Sequence, residues 1–118
     1  MKIRFSIPVK AISNNIFYSG IHGWKRQSIA ESWRQMIDCI LGEQNDKNLI
    51  KLKFPVDITI TAFCRGRILD SYNVCAKIII DGIKNNGWII PDDDIRYVRK
   101  VTTQAVKSQE DSVEVIMG

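Results

Sequence analysis

The sequence predicts an α+β fold in the order β-α-β-α-β-β, and three observations carry that prediction. Segments with the two-residue period of strands and segments with the three-to-four-residue period of helices alternate through most of the chain. Two β-prone segments then close it with only a polar turn between them. At 118 residues, with 45% hydrophobic and 25% charged residues, the chain has the size and composition of one compact domain, residues 1–118.

The first strand is Lys2 to Val9, where Ile3, Phe5, Ile7 and Val9 alternate with Lys2, Arg4 and Ser6. Pro8 suits the end of that strand or an edge. A loop rich in Ser, Asn and Gly follows from Ala11 to Gly23, longer than a connector requires, as functional loops often are. Ser28-Ile-Ala-Glu31 is a capping-box pattern. Ile29, Trp33, Met36, Ile37, Ile40 and Leu41 then recur at helical spacing, which predicts a helix from Ser28 to a stop at Gly42.

A polar link from Glu43 to Asn48 leads to the second strand, in which Val56, Ile58, Ile60, Ala62 and Cys64 oppose Asp57, Thr59, Thr61 and Phe63. It is expected beside the first strand or antiparallel to it. From about Ser71 to Asn86 the residues suit a largely buried helix, with Asp70 as its N-cap and Gly87 as its stop. Beyond Pro91, Ile95 to Ala105 and Ser112 to Met117 are the closing strands, separated by a polar turn from Lys107 to Asp111.

Composition narrows the function. The longest clean apolar run is Ile78-Ile79-Ile80, far short of a bilayer span, and the N-terminus has no secretory pattern, so a cytoplasmic protein without membrane association is expected. Cys39, Cys64 and Cys75 are odd in number and form no C-x-x-C pair, which predicts reduced, buried thiols. His22 is the only histidine, so no His-His metal pair exists. The motifs of P-loop nucleotide binding, zinc proteases and α/β-hydrolases are absent, and Trp24, Trp33 and Trp88 read most simply as core or interface residues.

The net charge is a moderate +4. Lys25-Arg26 with Arg34, Arg65 with Arg67, and Arg96 with Arg99-Lys100 form three basic groupings, which a fold could gather on one face or leave scattered.

The chemistry-bearing residues lie between 67 and 94. Asn73, Lys77 and Asp81 are spaced by four, so a continuous helix would place them on one stripe, and Asp92-Asp93-Asp94 would return toward it after the helix stop. Two readings stand at this point. In one, Lys77 and Asp81 form a helix ion pair, Asp70 caps, and the Asp run is a polar turn. In the other, the carboxylates hold Mg²⁺ beside a phosphate, whose developing charge the lysine stabilises.

With Pro8, Ser13-Asn14-Asn15, Tyr18, Arg65 and Arg67, the run Asp70-Ser-Tyr-Asn73, Lys77, Asp81, Gly87, Asp92-Asp93 resembles the RusA family of Holliday junction resolvases, and the likeness extends through nearly the whole chain. The family signature is Asp-x-Asp-Asn, then a Lys, a helical Asp, a Gly and a pair of Asp. The resemblance implies a mixed sheet of about four strands with two main helices packed on it. It also implies a homodimer that binds four-way DNA junctions and cuts them with Mg²⁺, without a small-molecule cofactor. By this likeness Asp70, Asn73, Lys77 and Asp93 would be catalytic, Asp70, Asp92 and Asp93 would hold the metal, and Lys25, Arg65, Arg67 and Arg99 would contact DNA.

Two departures accompany the likeness. One residue more separates Asn73 from Lys77 than in the family pattern, a turn of about 100 degrees on a helix. Tyr72 stands where the family has its second Asp, and a phenol is no substitute for a carboxylate on a hard cation. The alternative expectation is therefore a catalytically impaired junction-binding protein of the same fold.

Overall fold

A computed structural model describes residues 2–18, 23–44, 52–85 and 89–118. Its elements are strand β1 (Ile3–Ile7), the single turn α1 (Asn14–Phe17), the long helix α2 (Gly23–Gln44), strand β2 (Val56–Cys64), a 3₁₀ turn (Ser71–Asn73), helix α3 (Ala76–Lys84), strand β3 (Val98–Lys107) and strand β4 (Ser112–Met117). With α2 and α3 as its two main helices, the fold is α+β in the expected β-α-β-α-β-β order. The sheet is mixed, ordered β1-β4-β2-β3. β4 is antiparallel to both neighbours, pairing Val115 with Phe5 on one side and Ile60 on the other, while β2 and β3 run parallel.

This order corrects the expectation that the first two strands lie side by side. β4 separates them because it alternates as they do: Val113, Val115 and Met117 are fully buried beside Ile7, Phe5 and Ile3 and beside Ala62, Ile60 and Ile58. A strand buried by both neighbours belongs in the middle. The inward residues form one cluster with Trp33, Ile37 and Leu41 of α2 and Ile78, Ile79 and Ile83 of α3. At the crossing of the two helices Gly82 meets Ile37, where a Cβ would come within 2.6 Å of Ile37 Cδ1.

Helix boundaries differ from the sequence expectation in three places. α2 starts at Gly23 and includes Ser28, so Ser28-Ile-Ala-Glu31 does not cap it; Glu31 instead pairs with Arg34 one turn on, at 3.2 Å. Gly42 does not end it, since a helical glycine costs only about 1 kcal/mol relative to alanine. The helix expected from Ser71 is interrupted. Val74 forms a bridge with Ser13, the Cys75 N–H donates to the Ile12 carbonyl at 2.9 Å, and α3 begins at Ala76. Burial of Val74 and Cys75 against residues 11–13 overrides local helix preference there.

Smaller differences follow the same logic. β3 starts at Val98, because the N–H groups of Tyr97 and Val98 both turn back to the Asp94 carbonyl, leaving Ile95 exposed. Cys64 and Cys75 are buried free thiols as expected, whereas Cys39 is exposed on α2. No helix among the described residues is long and apolar enough to cross a membrane. His22, the Gly87 stop, Trp88 and most of the link after Glu43 lie outside the described residues.

Candidate functional site

The loop after β1 builds the first part of the site. The buried Ser13 caps α1, its hydroxyl accepting from the Ile16 N–H at 3.1 Å. That cap presents Asn14 and Asn15 to the 70–73 segment. Asn14 Nδ2 donates to the Tyr72 carbonyl at 3.3 Å, and the Asn15 N–H donates to Asn73 Oδ1 at 3.2 Å. Ser13-Asn14-Asn15 is thus a clamp on the turn that carries Asp70, Tyr72 and Asn73.

From the other side, Thr103 Oγ1 donates to the Ser71 carbonyl at 2.7 Å, and the Ala105 N–H donates to Ser71 Oγ at 3.3 Å. Both bonds tie the turn to the outer edge of β3. Asp70 holds the cap position, with its carbonyl accepting from the Asn73 N–H at 2.8 Å, but its carboxylate makes no cap. That carboxylate accepts from the Tyr72 hydroxyl at 3.3 Å. Lys10, Ser13, Asn15, Arg67, Asp70 and Asn73 line a groove of about 400 Å³.

Lys77, Asp81 and the Asp run assemble elsewhere, along α3. Lys77 Nζ pairs with Asp81 at 3.2 Å, while Lys84 Nζ sits among three carboxylates: Asp93 at 3.1 Å, Asp92 at 3.8 Å and Asp81 at 3.9 Å. The hydrogen bond from Lys84 holds the Asp93 carboxyl below its usual range, and the same bond raises Lys84. Asp94 is bound by Arg96 at 2.7 Å, which likewise keeps its carboxyl low. Arg34, Lys77, Asp81, Lys84 and Asp92 line a second cleft, of about 570 Å³. Arg34 Nε is buried there with no hydrogen-bond partner among the described residues.

The two hollows share no lining residue. Asp70 and Asn73 precede the start of α3, whereas Asp93 is bound at Lys84 in its last turn; the helix between them is roughly 13 Å long. Asn73 is off the helix, so the expected Asn73-Lys77-Asp81 stripe reduces to the Lys77–Asp81 pair. No group of three or more His, Cys, Asp or Glu side chains among the described residues is arranged to hold a metal. Within the single chain Asp70 and the Asp92-Asp93 pair thus have different partners and are not brought together as the expected Mg²⁺ site would require. An ammonium already holds the central position among Asp81, Asp92 and Asp93, and a phenol donates to Asp70.

The expected DNA contacts also divide. Arg67 lines the first groove, and Arg65 lies exposed two residues before it. Arg99 is engaged by Asp57 through two bonds of 2.6 and 3.0 Å, and Lys25 is exposed on the first turn of α2. Lys10 in the first groove and Arg34 in the second were not among the residues singled out from sequence for the site. Lys10 gives no periodic signal, lying just past β1, and Arg34 stands out in the sequence only as a member of the basic grouping with Lys25-Arg26. Compared with models of protein families and with curated proteins, the sequence matches none.

Proposed function

We propose that this chain is a RusA-like junction-binding domain: it binds branched DNA, four-way junctions above all, as a cytoplasmic homodimer, without a Mg²⁺ site assembled in the single chain. The observation that carries the reading is that the cations of the first hollow are unpaired with acids among the described residues, whereas those of the second are paired. In the first, Lys10 and Arg67 outnumber the one carboxylate, and neither pairs with an acid among the described residues. Such side chains suit phosphate oxygens of a DNA backbone. In the second, the carboxylates that a nuclease would turn toward a cation are neutralised from within by Lys77 and Lys84. A two-fold pair of such chains would present the basic groove twice, matching the symmetry of a four-way junction.

A second reading, the Mg²⁺-dependent junction endonuclease, is favoured by one observation. Asp81 and Asp92 share their cleft with Lys77, a set of two carboxylates and a lysine of the kind phosphoryl-transfer sites use. Gel shifts of a four-way junction against linear duplex, at several salt concentrations and with or without Mg²⁺, test both. With Lys10 and Arg67 contributed twice, four phosphate contacts predict about a hundredfold loss of affinity between roughly 50 and 200 mM salt. No junction preference at any salt would end both readings. Mg²⁺-dependent junction cleavage that disappears in Asp81→Asn and Asp92→Asn would establish the endonuclease instead, and its loss in Asp70→Asn and Asp93→Asn would restore the site expected from the family pattern.

A further inference from the structure

Tyr72 is the residue that the nuclease pattern treats as a missing carboxylate, yet its surroundings are built to present it. The residue is 82% exposed, while the turn that carries it is tied by hydrogen bonds to two other parts of the chain. The Tyr72 carbonyl is held by Asn14, the flanking Ser71 by Thr103 and by the Ala105 N–H, and the flanking Asn73 by the Asn15 N–H and the Asp70 carbonyl. An exposed ring on a backbone held by several hydrogen bonds gains from any flat partner, since less main-chain freedom remains to be lost on binding. The phenol hydroxyl lies 3.3 Å from Asp70 Oδ2, which brings this end of the ring to the rim of the first groove.

That groove supplies the rest of a nucleotide's requirements. Lys10 and Arg67 are cations for phosphate, Ser13, Asn15 and Asn73 are hydrogen-bonding neighbours, and the exposed Ile16 and Ile68 add apolar wall. A cationic groove with an aromatic face at its rim is how proteins hold unpaired strands, because each base offers a π-face and each linkage a charge. A fully paired duplex buries its base faces and gives the ring nothing to stack on.

We propose that Tyr72 is a stacking platform for an unpaired base of a DNA strand, with Lys10 and Arg67 holding the adjoining phosphates. This inference rests on the DNA-binding reading and deepens it: the features recognised would be a base unpaired at or beside the branch point as well as the phosphates. The side chain that removes a carboxylate from the nuclease pattern thereby supplies a recognition surface.

The test uses the full chain and junctions carrying one unpaired 2-aminopurine at the branch, beside a fully paired duplex with the same label. Wild-type protein should change the fluorescence of the unpaired label and leave the duplex label unaffected. Tyr72→Phe keeps the ring and should keep the signal. Tyr72→Ala should abolish the signal and weaken binding to the unpaired-base junction about ten- to a hundredfold, with little effect on duplex binding. Circular dichroism and sedimentation establish that each variant is folded and in the wild-type oligomeric state. Unchanged affinity and signal in Tyr72→Ala, or an altered oligomeric state with unchanged signal, would overturn the stacking role and leave the DNA reading intact. Absence of any DNA binding by the wild-type chain would overturn both.

Discussion

Removing the ammonium at Lys84 gives the sharpest check on the electrostatics of α3. In Lys84→Met the aliphatic stem is retained and the charge between Asp81, Asp92 and Asp93 is lost. A single exposed ion pair contributes about 0.2–1 kcal/mol. Lys84 serves three carboxylates, but its side chain and theirs are between a third and a half exposed, so solvent screening limits the sum. A loss of about 1 kcal/mol near neutral pH is expected, a shift of roughly 0.5–1 M in the urea midpoint.

The sign with pH follows from the two partners. Asp93 is held below its ordinary value, so its contribution is present above about pH 3.9 and lost as pH falls through its folded value. Lys84 is raised, so its contribution is present below about pH 10.4 and lost as pH rises through its folded value. The deficit of the variant should therefore span the neutral range and close near pH 2, where carboxylates in general are protonated. It should also shrink in about 1 M salt. Urea unfolding followed by far-ultraviolet circular dichroism at each pH measures it. The same deficit at pH 2 as at neutral pH would refute the counter-ion role and assign the loss to packing of the stem.

Two further outcomes test the core. Ile60, fully buried on β2 between β4 and β3, should cost about 2–5 kcal/mol when replaced by alanine, read from the urea midpoint; a loss below about 1 kcal/mol would mean that the sheet centre is not packed as described. Gly82→Val places a branched side chain where a Cβ alone would come within 2.6 Å of Ile37 Cδ1, and should destabilise by about 1–3 kcal/mol; measured in an Ile37→Ala background the same substitution should cost less, and strictly additive losses would locate the strain elsewhere.

Where inward residues recur at every second position, the sequence was a sufficient guide. Ile3, Phe5 and Ile7, the run from Val56 to Cys64, and Val113, Val115 and Met117 announce three strands because each inward residue has a partner at the same depth in the core. α2 was legible from Trp33, Ile37 and Leu41, though its start was not, since nothing in Lys25-Arg26-Gln27 opposes helix. The cluster at Lys84 is a different case. Asp92 and Asp93 were visible as a run, but an ion pair between residues nine positions apart depends on the path of the chain between them.

Local pattern alone determined the α+β class, the order of elements and the candidate polar residues, because periodicity is a property of neighbours in the chain. Tertiary contacts decided which strands adjoin, that Val74 and Cys75 leave the helix to meet residues 12 and 13, and that Asp70 and Asp93 face different partners. The physical reason is that a few hydrogen bonds and a buried apolar pair outweigh the fraction of a kcal/mol per residue by which helix propensities differ.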